Sequence, residues 1–531
     1  MDGIVHKKVC VDRRRNMRPY KILERMKRIR PMTYLAIVIF LFGSLIRLFG
    51  LSEYPAGLNQ DEAFSGYEAY CLATTGADSF EYSNPVYLTA WGSGMNVLNS
   101  ILAAPFVKIF GAQTICVRLP QALLGCLSLL AIYFLFRKLI DEKAGIIAMF
   151  ILAVMPWHIM KSRWGLESNL APEFLLFGLC FFVYGMEKPK FFIWSSIMYG
   201  LSLYCYATIW PIVPFILFFQ VVYAAYYKKI KLEKYTILSG VILAFFALPL
   251  MLFLLVNKGI LVEIKTPVLS IPKLLYMREG EISFEGLYGK LKNLGSILWN
   301  QNDGFPWNAT EPFGLYYKFG LFVAAIGLIY LVYLIIRKFR EKECSGLIFL
   351  LFQLLSAILL GCLIEVNINR INCIHLPIIF CIVFGILACG RVVWKYSPYI
   401  IMVIYLVVFL QFGHYYITEY NEEIGIYFQA GVGEAITFAM EQEGDIYLSG
   451  VSYAKVLYYS QTDPSEYRRT VQYINYPDAF LDVSSFGRFH FEYDPSQLNP
   501  DATYIVDVSE MGAYGELGFQ VQKFGNFAVA Y

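Results

Sequence analysis

The stretch Pro55-Ala56-Gly57-Leu58-Asn59-Gln60-Asp61-Glu62-Ala63-Phe64 follows the first long apolar run of the chain. Two adjacent carboxylates therefore lie within about ten residues of a predicted membrane span. Asn59 can cap a helix, and Glu62, three residues later, completes the pattern of a capping box. The dipole of such a helix favours anions in its first turn. Asp61 and Glu62 are thus either a helix cap at a surface or part of a catalytic site, and the positions of the other polar clusters bear on that choice.

The composition is that of a polytopic membrane protein. Of 531 residues, 57% are hydrophobic and 16% are charged, and the mean hydropathy is +0.52. Soluble domains carry about 25% charged residues. The formal net charge of +3 gives no reason to expect nucleic acid as a partner. The cysteines show no CxxC or metal-binding spacing. The first apolar run lacks a small-residue cleavage site, so we interpret it as a retained span and not as a signal peptide.

Basic segments set the predicted orientation. Residues 1–32 form a basic tail that the positive-inside rule places in the cytoplasm, where it can contact anionic lipids. The loop 137–143 is also rich in cations and is predicted to be cytoplasmic, which requires the apolar run 95–110 to lie along the membrane surface. Each later basic loop then also falls in the cytoplasm, and the carboxyl terminus lies outside. The eleven predicted spans are 33–51, 119–136, 144–160, 169–186, 191–208, 210–226, 235–256, 313–336, 346–364, 371–390 and 398–417.

The predicted fold is an α-helical polytopic membrane protein with about eleven transmembrane helices and a small extracytoplasmic domain. The transmembrane catalytic domain covers 33–417, with a first external loop at 52–118 that carries interfacial helices and a long external loop at 257–312. Residues 418–531 hold 17 acidic and 5 basic residues, a net charge of −12, which fits a domain outside the cell.

The C-terminal domain is predicted to be α/β or α+β. Residues 431–440 have a helical pattern, whereas four segments favour strands. These segments are 445–449, 455–460, 503–508 and 519–531.

The predicted topology gathers the polar clusters on the outer face. Besides Asp61 and Glu62, we expect the residues that bind substrate to be Arg118, Arg163, Glu167, Asp303, Arg370 and His375. Ionisable groups at the edge of the hydrocarbon are costly unless they are paired or functional. Each has a structural alternative: the arginines Arg118 and Arg163 can anchor at the interface, Glu167 can pair with Arg163, and His375 can be a satisfied helix-end histidine.

This set of residues suits the transfer of a group from a phosphate. A carboxylate can act as general base towards a hydroxyl, and arginines can hold a departing phosphate. No glycine-rich phosphate loop is present and the predicted site faces away from cytosolic nucleotides, so no nucleotide cofactor is expected. The phosphate would instead belong to a lipid. The predicted span interiors are poor in charge, which argues against an ion relay.

Several short motifs accompany the acidic pair. They are Asn59 to Ala63, Pro85 to Leu88, Trp91 to Gly94, Phe110-Gly111, Arg118 to Gly125, Pro156-Trp157-His158, Ser162-Arg163 and Glu167-Ser168-Asn169. With these motifs, residues 33 to about 390 resemble the GT-C superfamily of integral membrane glycosyltransferases. The resemblance is to the group of protein O-mannosyltransferases, lipid A aminoarabinose transferases and bacterial Rgt-type transferases.

The resemblance implies a sugar donor carried on a polyprenyl phosphate and transfer with inversion at the extracytoplasmic face. By the same resemblance Asp61 is the catalytic base, Glu62 is its acidic companion, and Arg118 matches an arginine of the first external segment. Glu167 falls where some relatives have an aspartate. Metal use varies across the superfamily, so a divalent metal is left open, with Asp61, Glu62 and Glu167 as candidate ligands. The motifs that mark acceptor class in some relatives are absent near Trp91.

The hypothesis from the sequence is therefore a glycosyltransferase of the EC 2.4 class in the plasma membrane. It would move a hexose or pentose from a polyprenyl phosphate to a hydroxyl of an envelope lipid, polysaccharide or protein. The alternatives are a lipid or solute transporter, which would usually show internal repeats or matched broken helices, and a non-catalytic envelope scaffold.

Overall fold

The structure is a computed structural model that describes residues 31–277 and 282–531. The predicted basic tail lies outside the described residues except at its end. Because long apolar runs can satisfy their backbone groups only internally within a bilayer, they form helices here. The helices of the membrane bundle are α1 (Pro31–Leu48), α4 (Thr114–Leu139), α5 (Glu142–Val154), α6 (Pro156–Ser162), α7 (Ala171–Gly185), α8 (Phe191–Ser202), α9 (Ile212–Tyr226), α10 (Lys234–Asn257), α12 (Gly320–Arg340), α13 (Leu347–Leu363), α14 (His375–Val392) and α15 (Ser397–Ile417).

Within the described ranges, eight helical segments are long and apolar enough to cross a membrane, and a ninth span results if α5 and α6, bent by 64°, are counted together. The shorter apolar helices α8 and α13 coincide with two further predicted spans. The break between α5 and α6 falls at Pro156, which occupies the first turn of α6. The polytopic helical fold predicted from the sequence is confirmed.

An outer layer caps the bundle at the end where the first loop lies. It contains α2 (Gln60–Thr75), α3 (Leu98–Phe110) and, from the long loop, α11 (Leu287–Asn300) with the short hairpin β1 (Ile264–Lys265) and β2 (Ser270–Ile271). The predicted surface run 95–110 is the 13-residue helix α3.

The C-terminal domain is built on a mixed seven-stranded sheet of order β4-β5-β6-β3-β7-β9-β8, in which β3 pairs in parallel with β6 and β7. The strands are β3 (Ile446–Leu448), β4 (Gln472–Tyr473), β5 (Val483–Phe486), β6 (Phe489–His490), β7 (Thr503–Asp507), β8 (Val521–Phe524) and β9 (Phe527–Ala530). The helices are α16 (Glu419–Tyr427), α17 (Val432–Met440), α18 (Tyr453–Ser460), α19 (Pro464–Thr470) and α20 (Met511–Glu516).

Two predictions within this domain are wrong in detail. Residues 455–460 belong to α18 and not to a strand. The prediction failed because a short, largely apolar run is compatible with both a buried helix and a buried strand. Residues 519–531 form a hairpin of two strands that turns at Gly525, where φ is +55°. The predicted helix at 431–440 and the strands at 445–449 and 503–508 agree with α17, β3 and β7.

The C-terminal domain and the first loop, 52–118, share one apolar core. Phe64 and Tyr67 of α2 pack with Val456 and Tyr458 of α18 in this core. A Cβ atom on Gly66 would lie 2.6 Å from the ring of Tyr458, so the two helices approach closely only because this residue is glycine. The helix that begins with the acidic pair is therefore held between the membrane bundle and the outer domain.

Candidate active site

The acidic pair begins α2 through the predicted capping box. The Asn59 side chain accepts a hydrogen bond from the backbone N–H of Asp61 at 2.8 Å, and Glu62 Oε2 accepts one from the backbone N–H of Asn59 at 3.0 Å. Asp61 and Glu62 follow one another on the first helical turn, so their side chains point in different directions. Asp61 is half-buried, whereas Glu62 is fully buried.

Glu62 forms a buried ion pair with Arg118. Arg118 Nε lies 2.9 Å from Glu62 Oε1 and Nη2 lies 3.1 Å from Oε2, and both side chains are fully buried. The backbone N–H of Gly165 also donates to Glu62 Oε1 at 2.8 Å. With the capping bond to Asn59, the Glu62 carboxylate accepts four hydrogen bonds, so it fixes the first loop to the bundle.

Arg118 has no N–H left for a ligand. Besides its two bonds to Glu62, it donates to the backbone carbonyls of Leu51, Pro55 and Gly57 at 3.2, 2.7 and 2.7 Å. These contacts use all five guanidinium donors. The expectation that Arg118 binds substrate phosphate is not supported, because the chain of its own first loop occupies the guanidinium.

Arg163 is used in the same way at the end of α1. It donates to the carbonyls of Ile46, Phe49, Gly50 and Tyr54 at 2.6 to 3.0 Å. The last carbonyls of a helix have no partner within the helix and carry the negative end of its dipole, so an arginine there stabilises the end of the span. The anchoring alternative for Arg163 therefore describes its contacts better than phosphate binding does.

Asp61 faces a cavity of about 690 Å³ between the bundle and the C-terminal domain, which we call the outer cavity. Its aromatic walls are Trp91, Trp164, Trp307, Tyr427, Tyr453 and Phe491. Its polar and charged lining residues include Asn59, Gln60, Asp61, Asn369, Gln429, Ser452, Lys455, Asp482 and Glu492. The lining residues numbered above 417 belong to the C-terminal domain. No sequence motif predicts most of them.

Glu167 faces a second cavity of about 670 Å³, which we call the lateral cavity. Polar residues at this cavity are Ser93, Asn96, Glu167, Tyr206, Thr208 and Lys258. Its apolar lining includes Phe253, Leu254, Ile260, Leu274, Met277, Ile282 and Ile364. Glu167 accepts a hydrogen bond from the backbone N–H of Asn96 at 2.5 Å. The Asn96 amide is 1% exposed, and neither of its polar side-chain atoms has a hydrogen-bond partner among the described residues.

Three short segments separate the two cavities. In the first segment, Trp91 lines the outer cavity and Ser93 lines the lateral cavity. In the second, Trp164 lines the outer cavity and Glu167 lines the lateral cavity. In the third segment, Asn369 lines the outer cavity, while the backbone carbonyl of the next residue, Arg370, accepts a hydrogen bond at 3.2 Å from Thr208 in the lateral cavity. Arg370 is half-buried next to this junction, and its Nη1 donates to the Glu365 carbonyl at 3.4 Å, but its side chain is not among the residues that line either cavity.

Asp303 and His375 lie in neither cavity. Asp303 Oδ2 accepts hydrogen bonds from Asn308 and from the backbone N–H of Ile368, both at 2.8 Å, so it ties the long loop to the segment that carries Asn369 and Arg370. His375 is fully buried and contacts the Tyr316 hydroxyl through Nδ1. Both residues contact other parts of the protein and line neither cavity, in contrast to the prediction that they bind substrate.

The bundle also contains a buried charged cluster that the sequence did not reveal. Lys161 pairs with Glu173, the His158 ring lies 3.4 Å from the same carboxylate, and Arg47 Nη2 lies 2.6 Å from His158 Nδ1. Arg47 also donates to carbonyls of α1 and α5, including that of Leu152 at 2.9 Å. The expectation that span interiors are poor in charge is therefore wrong for this end of the bundle. The Lys161–Glu173 ion pair links α6 to α7, and the contact of Arg47 with His158 links α1 to α6.

The carboxylates of the site do not assemble around a common point for a metal. Within the described residues, no group of three or more His, Cys, Asp or Glu side chains is placed to hold an ion. Of the three predicted candidates, Glu62 is already occupied by Arg118 and two backbone N–H groups, and Glu167 and Asp61 line different cavities.

Burial changes the proton affinity of one cavity residue. Lys455 is 2% exposed, and burial lowers its pKa to about 7 against the attraction of Glu62. Its ammonium donates to the Phe428 carbonyl at 3.1 Å and to Gln429 Oε1 at 2.7 Å. The single cation that lines the outer cavity within the described chain is thus tethered and only partly charged near neutral pH.

Comparison with known proteins agrees with this architecture. Residues 97–257 match the family model described as dolichyl-phosphate-mannose-protein mannosyltransferase. No curated protein matches the sequence. Among solved structures, ArnT from Cupriavidus metallidurans bound to undecaprenyl phosphate matches with a TM-score of 0.53 and 10% identity, covering 94% of this chain and 98% of that chain. The apo form of the same protein gives 0.51 and 10%, covering 93% and 97%.

The oligosaccharyltransferase of Archaeoglobus fulgidus gives a TM-score of 0.46 and 13% identity, covering 80% of this chain and 61% of that chain. At 10% identity the match to ArnT shows a shared fold along nearly the full length of both chains. Together with the family match, it confirms the predicted resemblance.

Proposed function

We propose that the protein is a glycosyltransferase that moves a sugar from a polyprenyl phosphate to an acceptor hydroxyl on the extracytoplasmic face of the membrane. The observation that carries this proposal is the position of Asp61, on the first turn of α2 and facing the outer cavity beside the junction with the lateral cavity. The family that matches residues 97–257 is named for a dolichyl-phosphate sugar donor, and the matching ArnT structure holds undecaprenyl phosphate.

The lateral cavity suits the donor because its lining is amphipathic. Its apolar residues come largely from α10 and the long external loop, and can accept the first isoprene units of the lipid. Asn96, Glu167, Thr208 and Lys258 are polar or charged members of the same lining. Because Arg118 donates all five of its N–H groups to Glu62 and to backbone carbonyls, and Arg163 donates to four backbone carbonyls, we assign the phosphate to Lys258 and Arg370. The unpartnered amide of Asn96 is a further donor for a phosphate oxygen or a sugar hydroxyl.

The outer cavity then holds the acceptor. Asp61 takes the proton from the acceptor hydroxyl while the acceptor oxygen forms a bond to the anomeric carbon of the donor sugar. The bond between that carbon and the phosphate oxygen breaks, and the electron pair leaves with the polyprenyl phosphate. The acceptor attacks from the outer cavity, and the polyprenyl phosphate leaves towards the lateral cavity on the opposite side of the sugar. Because attack and departure are on opposite sides, the configuration at the anomeric carbon inverts. General-base catalysis of this kind contributes about 10²–10⁴-fold.

Glu62 and Glu167 have supporting roles in this mechanism. Glu62 holds α2 in place through Arg118 and Gly165, so that Asp61 faces the cavity. Glu167 holds the backbone of Asn96 in the lining of the proposed donor site.

The test is the substitution Asp61→Asn, which keeps the size and removes the base. Variants are expressed at equal levels in cells that lack the chromosomal gene, and the polyprenyl-linked sugars that accumulate are measured by mass spectrometry. We expect transfer to fall about 10²–10⁴-fold, so that the lipid-linked donor accumulates as in the deletion. Glu53→Gln is the matched control, because Glu53 is an exposed carboxylate of the same loop that lines neither cavity. Near-normal transfer by Asp61→Asn would exclude Asp61 as the base.

The proposal includes the location of the protein. Residues 33–417 form the catalytic membrane domain, and residues 418–531 lie outside the plasma membrane above it. The basic loops and the acidic C-terminal domain support this orientation. An alkaline phosphatase fused after Tyr531 should be active and a green fluorescent protein at the same position should be dark; the opposite result would place the site in the cytoplasm.

A further inference from the structure

The walls of the outer cavity identify the chemistry of its occupant. Trp91 and Trp307 are half-buried, so part of each ring is accessible, and Tyr427 is 53% exposed. Trp164 is 5% exposed, and its indole N–H has no hydrogen-bond partner among the described residues. An indole buried in this way usually finds a partner, so a ligand acceptor at this point would satisfy it.

Amide and hydroxyl groups lie beside these rings. Asn369, Gln429 and Ser452 line the same space as Trp164 and Trp307. A pyranose ring presents C–H groups on its faces and hydroxyl groups around its edge. Aromatic faces next to amide and hydroxyl side chains match both surfaces of such a ring.

The charges that line the outer cavity disfavour an acceptor that carries phosphate. Asp61, Asp482 and Glu492 line it, and the last two are exposed side chains of the C-terminal domain. The opposing cation, Lys455, is held by the Phe428 carbonyl and by Gln429. Juxtaposed like charges are unfavourable, so an acceptor that carries phosphate would be repelled from this space.

The C-terminal domain fixes part of this wall. The backbone N–H of Leu481 donates to the Trp91 carbonyl at 2.8 Å, and the N–H of Ser93 donates to the Ala479 carbonyl at 3.0 Å. These bonds join the segment that carries Asp482 to the segment that carries Trp91. Asp482 is therefore held in the segment next to Trp91.

From this lining we infer that the acceptor is a hydroxyl of a neutral or cationic carbohydrate, in a polysaccharide or a glycolipid headgroup, selected by the aromatic and acidic walls of the outer cavity. The inference rests on the proposed function and names the substrate class of the same site. It separates the protein from a transferase that would modify a phosphate group or a polypeptide side chain.

The first experiment locates the transferred sugar. Envelope polysaccharide, glycolipid and protein fractions are compared by mass spectrometry and linkage analysis between cells with the gene, cells without it, and cells with Asp61→Asn. We expect the deletion and Asp61→Asn to remove a glycosyl group that is linked to a sugar hydroxyl and is stable to mild acid. Loss of the group from a protein fraction, loss of an acid-labile glycosyl phosphate, or no loss from any glycan would overturn the inference.

The second experiment measures binding without catalysis. Tryptophan fluorescence of the purified full chain in detergent is titrated with a neutral oligosaccharide panel, with oligomers of glucosamine, and with phosphorylated sugars. We expect saturable changes with neutral or cationic members, and binding at least about 10-fold weaker for phosphorylated ones, which corresponds to about 1.4 kcal/mol. Equal or tighter binding of phosphorylated sugars, or no binding of any glycan, would count against the inference.

Two substitutions test whether the binding occurs in the outer cavity. Trp307→Ala should weaken binding at least about 10-fold. Trp299→Ala should not, because Trp299 lies on the same loop, is 69% exposed and lines neither cavity. The double change Asp482→Asn with Glu492→Gln should narrow the discrimination against phosphorylated sugars. Asp61→Asn should lower transfer about 10²–10⁴-fold while glycan binding stays measurable, so failure of the acceptor class and failure of the proposed function give different results.

Discussion

Asp61 and Glu62 are neighbours in the chain but lie in opposite environments. Glu62 is fully buried and accepts hydrogen bonds from Arg118, Asn59 and Gly165. Asp61 is half-buried and faces the outer cavity. Successive residues on a helix point about 100° apart, so one turn can direct one carboxylate into the protein and the other towards a ligand. In this protein the buried acid holds the helix that positions the accessible one.

The largest loss of stability is expected from Arg118→Ala, which removes the partner that distinguishes buried Glu62 from accessible Asp61. Removing the guanidinium leaves the Glu62 carboxylate buried without its partner and frees three backbone carbonyls. Loss of one member of a buried ion pair costs about 3–5 kcal/mol. We expect a lower thermal unfolding temperature of the purified protein in detergent and, as a consequence, a loss of transfer.

Arg137→Ala is the control for this change, because Arg137 is an exposed arginine near the other end of α4. It should unfold close to the wild-type temperature. If Arg118→Ala were as stable as Arg137→Ala, the buried pair would not hold the loop, and Glu62 would have to be reconsidered as a catalytic group.

A smaller effect, visible as a pH dependence, is expected from Glu68, which lies further along α2. Glu68 is buried and accepts hydrogen bonds from the backbone N–H and the hydroxyl of Ser79. Burial, reinforced by the charge of Asp78, raises the pKa of Glu68 from 4.5 to about 8. Burial also raises the pKa of Asp78, to about 6.

The folded protein keeps a proton on Glu68 that the unfolded chain loses above about pH 4.5. The contribution of Glu68 to the free energy of unfolding is therefore complete below about pH 4.5 and decreases as the pH rises to about 8. One pKa unit corresponds to about 1.4 kcal/mol, so we expect the free energy of unfolding to fall by about 3–4 kcal/mol between pH 5 and pH 8. Glu68→Gln is neutral at both values. Its unfolding temperature should fall less than that of the wild type over this range, whereas Glu53→Gln should follow the wild type. Parallel curves for Glu68→Gln and wild type would show that Glu68 does not retain its proton.

The smallest effect is expected from Asn59→Ala, which sharpens the contrast between the acidic neighbours. This change removes the hydrogen bond that the backbone N–H of Asp61 donates to the Asn59 side chain but leaves both carboxylates. Loss of a cap costs about 0.5–2 kcal/mol. We expect a modest decrease in the unfolding temperature, and a decrease in the rate of transfer that is larger than the decrease in stability explains, because the first turn positions Asp61.

Asn59→Asp, which can still cap, should restore most of the stability and much of the rate. A rate for Asn59→Ala equal to that of the wild type would mean that the first turn does not need its cap to present Asp61.

The charged residues show most clearly where sequence reasoning succeeded and failed. The prediction that Arg118 lies near the acidic pair agrees with the structure, but its partner is Glu62 and the backbone, not a ligand. The same applies to Arg163 at the end of α1. A sequence shows that an arginine near a membrane interface needs partners, but a carbonyl that ends a helix and a phosphate satisfy it equally well.

What the sequence by itself determined are the features that depend on residues close in the chain. Apolar runs of about 20 residues form the helices of the bundle, and Asn59 with Glu62 forms the capping box at the start of α2. Both follow from hydrogen bonds that are satisfied within one segment. Only the tertiary structure decided which carboxylate faces the cavity, which cations are already used, and that Trp91, Trp164, Trp307 and Lys455 line one space. These residues come from segments far apart in the chain, and their meeting depends on long-range packing that no local pattern encodes.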